Sequence, residues 1–233
     1  MSFKKTLNKS VSILLIGVAI STSFTGMSSA MENNSNDERI DEIIESNVKY
    51  ESDGLSIVSK SELKKDLENI DIEAIKQELK RIGIKQEYIN NFNEDTIINS
   101  VEENIEDINK DIELNKIEVR GEKDLVDTQD ENFYVQGGST YSKKYSWGVR
   151  HYKSTAAANY WVRQLGKHIN GIQLTSGASL IFAPYGIPAG VLGMVTVWYF
   201  TGLKDEVSYY NSRNNRGVII DINTWLTYNV RNQ

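Results

Sequence analysis

The chain has 233 residues, a formal net charge of −6 and no cysteine. Without a thiol it can form no disulfide, no thiol nucleophile and no thiolate metal site, so its stability must come from packing alone. The charge is uneven: residues 31–130 carry 28 acidic against 13 basic side chains, and residues 131–233 carry 4 against 10. An asymmetry of this size suggests two units with different work. Aromatic residues divide the same way, since all four Trp and ten of the twelve Tyr follow residue 130.

Lys4, Lys5 and Lys9 precede an apolar core, Val11 to Ala19, and Ser28-Ser29-Ala30 supplies small residues before Met31. These are the three parts of a secretory signal peptide in order. Residues 1–30 are therefore expected to be removed after Ala30, giving a secreted, extracellular chain. A cysteine-free exported protein suits a Gram-positive type of cell.

Residues 31–120 read as an acidic helical region. Asn33 to Asn36 is a polar, loose start, and Ile40, Ile43, Ile44 and Val48 then fall at helical spacing. Ser59 and Glu62 form a possible capping box for a helix through Leu63, Leu67 and Ile70. Asp71 caps the next helix, whose stripe is Ile72, Ile75, Leu79 and Ile82, and Gly83 stops it. Near Asn93 a third begins, with Glu94 and Asp95 in its first turn and Val101, Ile105, Ile108 and Ile112 repeating at coiled-coil-like steps. The excess of carboxylates serves either as a solvated face or as a cover for the basic half, drawn to it by opposite charge and by the tether. Residues 121–138 read as a linker, with Arg120 and Lys123 at its edge.

Residues 139–233 form a basic, aromatic module. Tyr141 to Lys153 alternates as one strand, with Tyr145, Trp147, Val149 and His151 on one face. Ser154 caps a helix through Asn170 that carries Trp161, Arg163 and Lys167, and Gly171 ends it. From Ile169 to Leu203 no side chain is charged. Pro184 and Pro188 break this run, and a helix is expected to start at Pro188 and continue to Tyr210. That helix is either the buried centre of a small domain or a segment that enters membranes, where roughly 20 apolar residues suffice to cross. The tail from Gly217 to Val230 alternates as a second strand, whose natural partner is Tyr145 to Lys153. The whole predicts an α+β fold.

Lys144-Tyr145-Ser146-Trp147-Gly148-Val149 resembles the opening box of pediocin-like bacteriocins, without its neighbouring cysteine. Gly137-Gly138 resembles a double-glycine processing site and also reads as a plain flexible turn. The order of signal, acidic region and basic module is similar to that of Gram-positive secreted bacteriocin-like or cannibalism-toxin precursors.

Little points to catalysis. His151 and His168 match no metal motif, and no phosphate loop or dinucleotide fingerprint is present, so no cofactor is expected. Ser146, a histidine and Asp221 could in principle form a triad, but no G-x-S-x-G elbow occurs. Export removes most opportunity to meet nucleic acid.

Two readings follow. In the first, the resemblance implies a toxin precursor acting on a target-cell membrane, held by its own acidic region (31–120) and matched by an immunity protein. Trp161, Trp198, Tyr199 and Phe200 would anchor it at the interface, and Leu180, Ile181, Phe182, Val191, Leu192, Val195 and Val197 would insert. Lys143, Lys144, Arg150, Lys153, Arg163 and Lys167 would meet anionic lipid. In the second, the module is a secreted non-enzymatic α+β domain whose aromatic, basic face engages a protein or cell-wall polymer.

Overall fold

The computed structural model describes residues 30–121, 123–128, 133–135, 137–171 and 193–233. Residues 1–29 of the expected signal segment and residues 172–192, which include Leu180, Ile181, Phe182, Val191 and Leu192 of the expected insertion segment, lie outside the described residues. The fold is α+β.

The acidic half opens with α1 (Ala30–Asn47) and a short hairpin, β1 (Val48–Glu51) with β2 (Gly54–Ile57). Then come α2 (Lys60–Leu67), α3 (Ile72–Arg81), α4 (Gln86–Asn91) and α5 (Glu94–Glu113). α2, α3 and α5 start where a side chain satisfies one of their first free amides, whereas Lys85 ahead of α4 makes no such bond. Ser59 accepts from the Glu62 amide at 3.2 Å and Asp71 from the Ala74 amide at 3.0 Å. Asn93 and Thr96 cap α5 reciprocally. Ile97, Val101, Ile105 and Ile108 of α5 are buried, each burial stabilising by about 1.5–3 kcal/mol. Asn109 fixes α5 to β2, accepting from the Leu55 amide and donating to the Leu55 carbonyl.

A second hairpin, β3 (Ile117–Arg120) with β4 (Asp124–Asp127), follows, and then the five-stranded antiparallel sheet in the order β5-β6-β7-β8-β9. Its strands are β5 (Phe133–Val135), β6 (Gly138–Tyr145), β7 (Gly148–Lys153), β8 (Val218–Asn223) and β9 (Tyr228–Asn232). Two antiparallel helices, α6 (Thr155–Gly171) and α7 (Val197–Arg213), cover one face of it. Asn211 holds them together, donating to the Thr155 carbonyl and the Asn159 side chain. Ala158, Trp161, Leu165, Tyr199, Phe200, Leu203 and Val207 pack with Val218, Ile220, Ile222 and Val230 of the sheet.

Several expectations are corrected. Tyr141 to Lys153 is a hairpin rather than one strand, and the two-residue turn at Ser146-Trp147 reverses the face parity. Tyr145 consequently shares a face with Arg150, while Val149 and His151 lie on the other. The tail is likewise a hairpin, because Thr224 to Thr227 turn instead of continuing. The expected linker contains β4 and β5, and Leu125 of β4 is buried. Residues 33–36 are helical.

The helix expected from Pro188 starts at Val197 among the described residues, because its approach is held extended by the acidic half. Val195 bridges to Ile84, the Lys85 amide donates to the Met194 carbonyl at 2.9 Å, and the Thr196 hydroxyl donates to the Gly83 carbonyl at 2.6 Å. Gly83 makes this close approach possible: its φ is +90°, and a Cβ there would lie 2.8 Å from the Trp198 side chain. Buried residues of both halves form one continuous apolar cluster.

Candidate functional site at the seam of the two halves

At one rim of the sheet two turns lie side by side. Ser146-Trp147 joins β6 to β7, Thr224-Trp225-Leu226-Thr227 joins β8 to β9, and the Thr224 amide donates to the Trp147 carbonyl at 3.0 Å. Within the second turn the Leu226 amide donates to the Asn223 carbonyl and the Asn223 amide to the Thr227 carbonyl. Leu226 takes a φ of +79°, a conformation that a branched side chain rarely adopts. Turns normally face water. Here Trp225 and Leu226 have no exposed surface at all, and Trp147 is 2 % exposed.

The acidic half buries them. From α5, Asn104 donates to the Tyr145 and Ser146 carbonyls at 2.8 and 2.9 Å, and the Ser100 and Thr224 hydroxyls share a hydrogen bond at 3.0 Å. From β1, the Tyr50 hydroxyl donates to Ser146. α1 contributes three carboxylates spaced one helical turn apart, so that they share a face. Asp37 accepts from the Thr227 hydroxyl at 3.0 Å, Asp41 from the Asn223 amide group at 3.2 Å and Glu45 from the Trp147 indole at 3.1 Å.

Burial pushes the Asp37 carboxyl up to about 7, helped by Glu78 and Glu38 and opposed by Thr227 and Trp225. Burial likewise raises Asp41 to about 9, with Asp37 and Asp221 adding to the effect and Arg150 opposing it.

Behind this rim, on the sheet face away from α6 and α7, rings and cations interleave. Tyr145 stacks on Trp147 with centroids 4.7 Å apart, and the Arg150 guanidinium sits 5.3 and 5.5 Å from the two rings. Arg150 grips Asp221 through two hydrogen bonds of 2.6 and 3.0 Å, and Arg231 binds the same carboxylate. Tyr141 and Tyr152 stack at 4.2 Å.

The expected cations are dispersed between two regions. Lys143 pairs with Asp124 and Lys144 with Asp111 at 2.6 Å, so both are neutralised by the acidic half. The Asp111 carboxyl, although burial works against it, is held below its ordinary value by Lys144 and Lys116. Lys153 lies half-buried at the end of β7. Arg163 and Lys167 are exposed on α6, where Arg163 lies 5.9 Å from the Tyr160 ring.

Of the expected membrane anchors, Trp161, Tyr199 and Phe200 are interior, because the apolar face of each helix turns to the sheet. Only Trp198 is open to solvent, at 67 %, and its indole donates to the Arg81 carbonyl. Val195 is buried and Val197 is partly exposed.

The Ser142 hydroxyl and His151 Nδ1 meet at 2.7 Å on the helix-covered face, whereas Asp221 lies on the opposite face, so the triad imagined through His151 is not assembled. Among the described residues no group of three or more His, Asp or Glu side chains is arranged to hold a metal, and no helix is long and apolar enough to cross a membrane.

Sequence reasoning did not find the seam. Trp225 and Leu226 fitted a strand's alternation, and the carboxylates of α1 looked like a solvated face. The spacing of Asp37, Asp41 and Glu45 was the one available signal. No family model matches the chain, and neither a curated protein nor a solved structure is significantly similar to it.

Proposed function

We propose that this is an exported precursor whose basic, aromatic C-terminal module acts on membranes once its acidic half is displaced. The observation that carries the reading is the burial of Trp147, Trp225 and Leu226 beneath an acidic cover that also neutralises Lys143 and Lys144. Uncovered, these residues would present indole rings beside cations at one rim, the combination that settles at lipid headgroups and meets anionic lipid. In this form of the proposal the anchoring role passes from the interior Trp161, Tyr199 and Phe200 to Trp147 and Trp225. Trp198 keeps its place as an exposed anchor; of the insertion candidates Val195 is interior, and Leu180, Ile181, Phe182, Val191, Leu192 and Val197 keep that role. An immunity partner belongs to the same reading.

The test is to introduce a protease site at residues 129–132 of the exported chain, cut it, and add the product to dye-loaded vesicles. Leakage from phosphatidylglycerol vesicles after cutting, with none from the uncut chain or from phosphatidylcholine vesicles, supports the proposal. Inert vesicles after the halves have separated sink it.

A second reading is favoured by the interior position of Trp161, Tyr199 and Phe200, which pack between the helices and the sheet rather than facing outward. In that case it remains folded as a non-enzymatic binding module and offers the Tyr141, Tyr145, Arg150 and Tyr152 face to a protein or cell-wall polymer. Retention on isolated cell walls together with inert vesicles would select it.

A further inference from the structure

Among the described residues, the hydrogen bonds from α1 to the rim come from acids. Asp37, Asp41 and Glu45 all meet neutral donors of the basic module, namely Thr227, Asn223 and Trp147. The charged groups around them are mostly acidic as well. Glu38 flanks Asp37 on α1 and Glu78 faces it from α3, and Glu78 is already paired with Arg81 at 2.5 Å. Asp221 faces Asp41 from β8. Arg150 of β7, the cation near Asp41, gives its two hydrogen bonds to Asp221, as Arg231 of β9 gives its own. At the far end of α1, Lys123 reaches only the Glu45 carbonyl, and Asp66 of α2 accepts from Asn47. A small cleft lined by Asn36, Asp37, Ala74, Ile75, Glu78 and Thr227 opens beside the first of these acids. Two carboxyls one turn apart, close to further acids and with no dedicated counter-ion among the described residues, dock readily only while they carry protons.

We infer that α1 is a pH-set latch, closed over the β8–β9 turn when Asp37 and Asp41 are protonated and lifted from it as they ionise. The inference rests on the reading of the acidic half as a removable cover, and it names what loosens that cover.

The direction follows from linkage. Both groups bind protons more tightly docked than free, so docking is strongest below the ordinary aspartate value near 3.8 and weakens as pH rises. Asp37 has exerted its full effect by about pH 7 and Asp41 by about pH 9. Charging the second carboxyl opposes the first, so the two act in one broad step.

Amide hydrogen exchange of the intact exported chain at pH 5.5 and 8.5, corrected for the intrinsic rate, tests this. α1 should lose roughly tenfold or more of its protection, the change that one unit of differential proton affinity produces, while β7 and β8 keep theirs. The double variant Asp37→Asn, Asp41→Asn should hold α1 equally at both pH values, and Asp41→Asn alone should show a reduced response. Equal protection of wild-type α1 at both pH values overturns the latch, as does simultaneous loss from α1 and the sheet, or an undiminished response in the Asn variants. Vesicle leakage measured on the same samples separates the two proposals: α1 that lifts while vesicles stay intact leaves the latch standing and counts against membrane action.

Discussion

Two hairpin tips of this chain have opposite fates. The β3–β4 tip is exposed at Arg120 and Lys123, tied back by one hydrogen bond from Lys123 to the Glu45 carbonyl, and Gly121 takes its φ of +64° with nothing within 4 Å of where a Cβ would be. The β8–β9 tip has no glycine, forces Leu226 to a φ of +79° and is wholly buried. A tip that only reverses the chain uses a residue tolerant of that geometry and leaves it in water. The second tip instead accepts backbone strain and loss of solvent, which is the pattern expected of a docked part.

Truncating the buried tip should cost most. Trp225→Ala is expected to lower unfolding free energy by about 3–5 kcal/mol in a denaturant titration, the range for emptying a large buried ring site. A loss under 1 kcal/mol would place that tip in the same class as the β3–β4 tip. Asn104→Ala should cost about 1–3 kcal/mol by leaving two turn carbonyls without their donor. Its effect should include faster amide exchange at Trp147.

Glu206→Gln probes the seam from α7. Burial raises the Glu206 carboxyl from 4.5 to about 7, against the pull of Arg81 at 4.0 Å. A raised carboxyl removes stability as pH climbs from its ordinary value to its folded one. The glutamine variant should therefore melt about 2–4 °C higher at pH 8, the shift of roughly 1 kcal/mol in a chain of this size, and unchanged at pH 4. The smallest change is expected from inserting two residues after Gly121. An open tip should tolerate them at a cost of about 0.6 kcal/mol or less. A larger loss would show that this tip, too, is held.

Features that repeat along the chain were legible in its sequence. Ser59, Asp71, Asn93 and Ser154 announced helix starts, and the isoleucine stripes of α3 and α5 announced which sides turn inward. The pairing of the tail with residues 145–153 was legible too, in part because both stretches alternate. What stayed hidden depends on what lies across from a residue rather than beside it in sequence. A two-residue turn inverts parity, so Tyr145 and Val149 could not be assigned faces without locating it. Tyr199 and Phe200 read equally well as an interfacial belt or as core, since both environments favour the same rings. Asp37 and Asp41 were illegible for a similar reason: an acidic helix face is most often simply solvated, and only the opposing Thr227 and Asn223 reveal that these two are docked.

The tie between the Thr224 amide and the Trp147 carbonyl has one more implication. It welds segments far apart in the chain into a single edge, so whatever recognises that edge reads a discontinuous epitope. No linear peptide copied from either stretch should mimic it or compete with it.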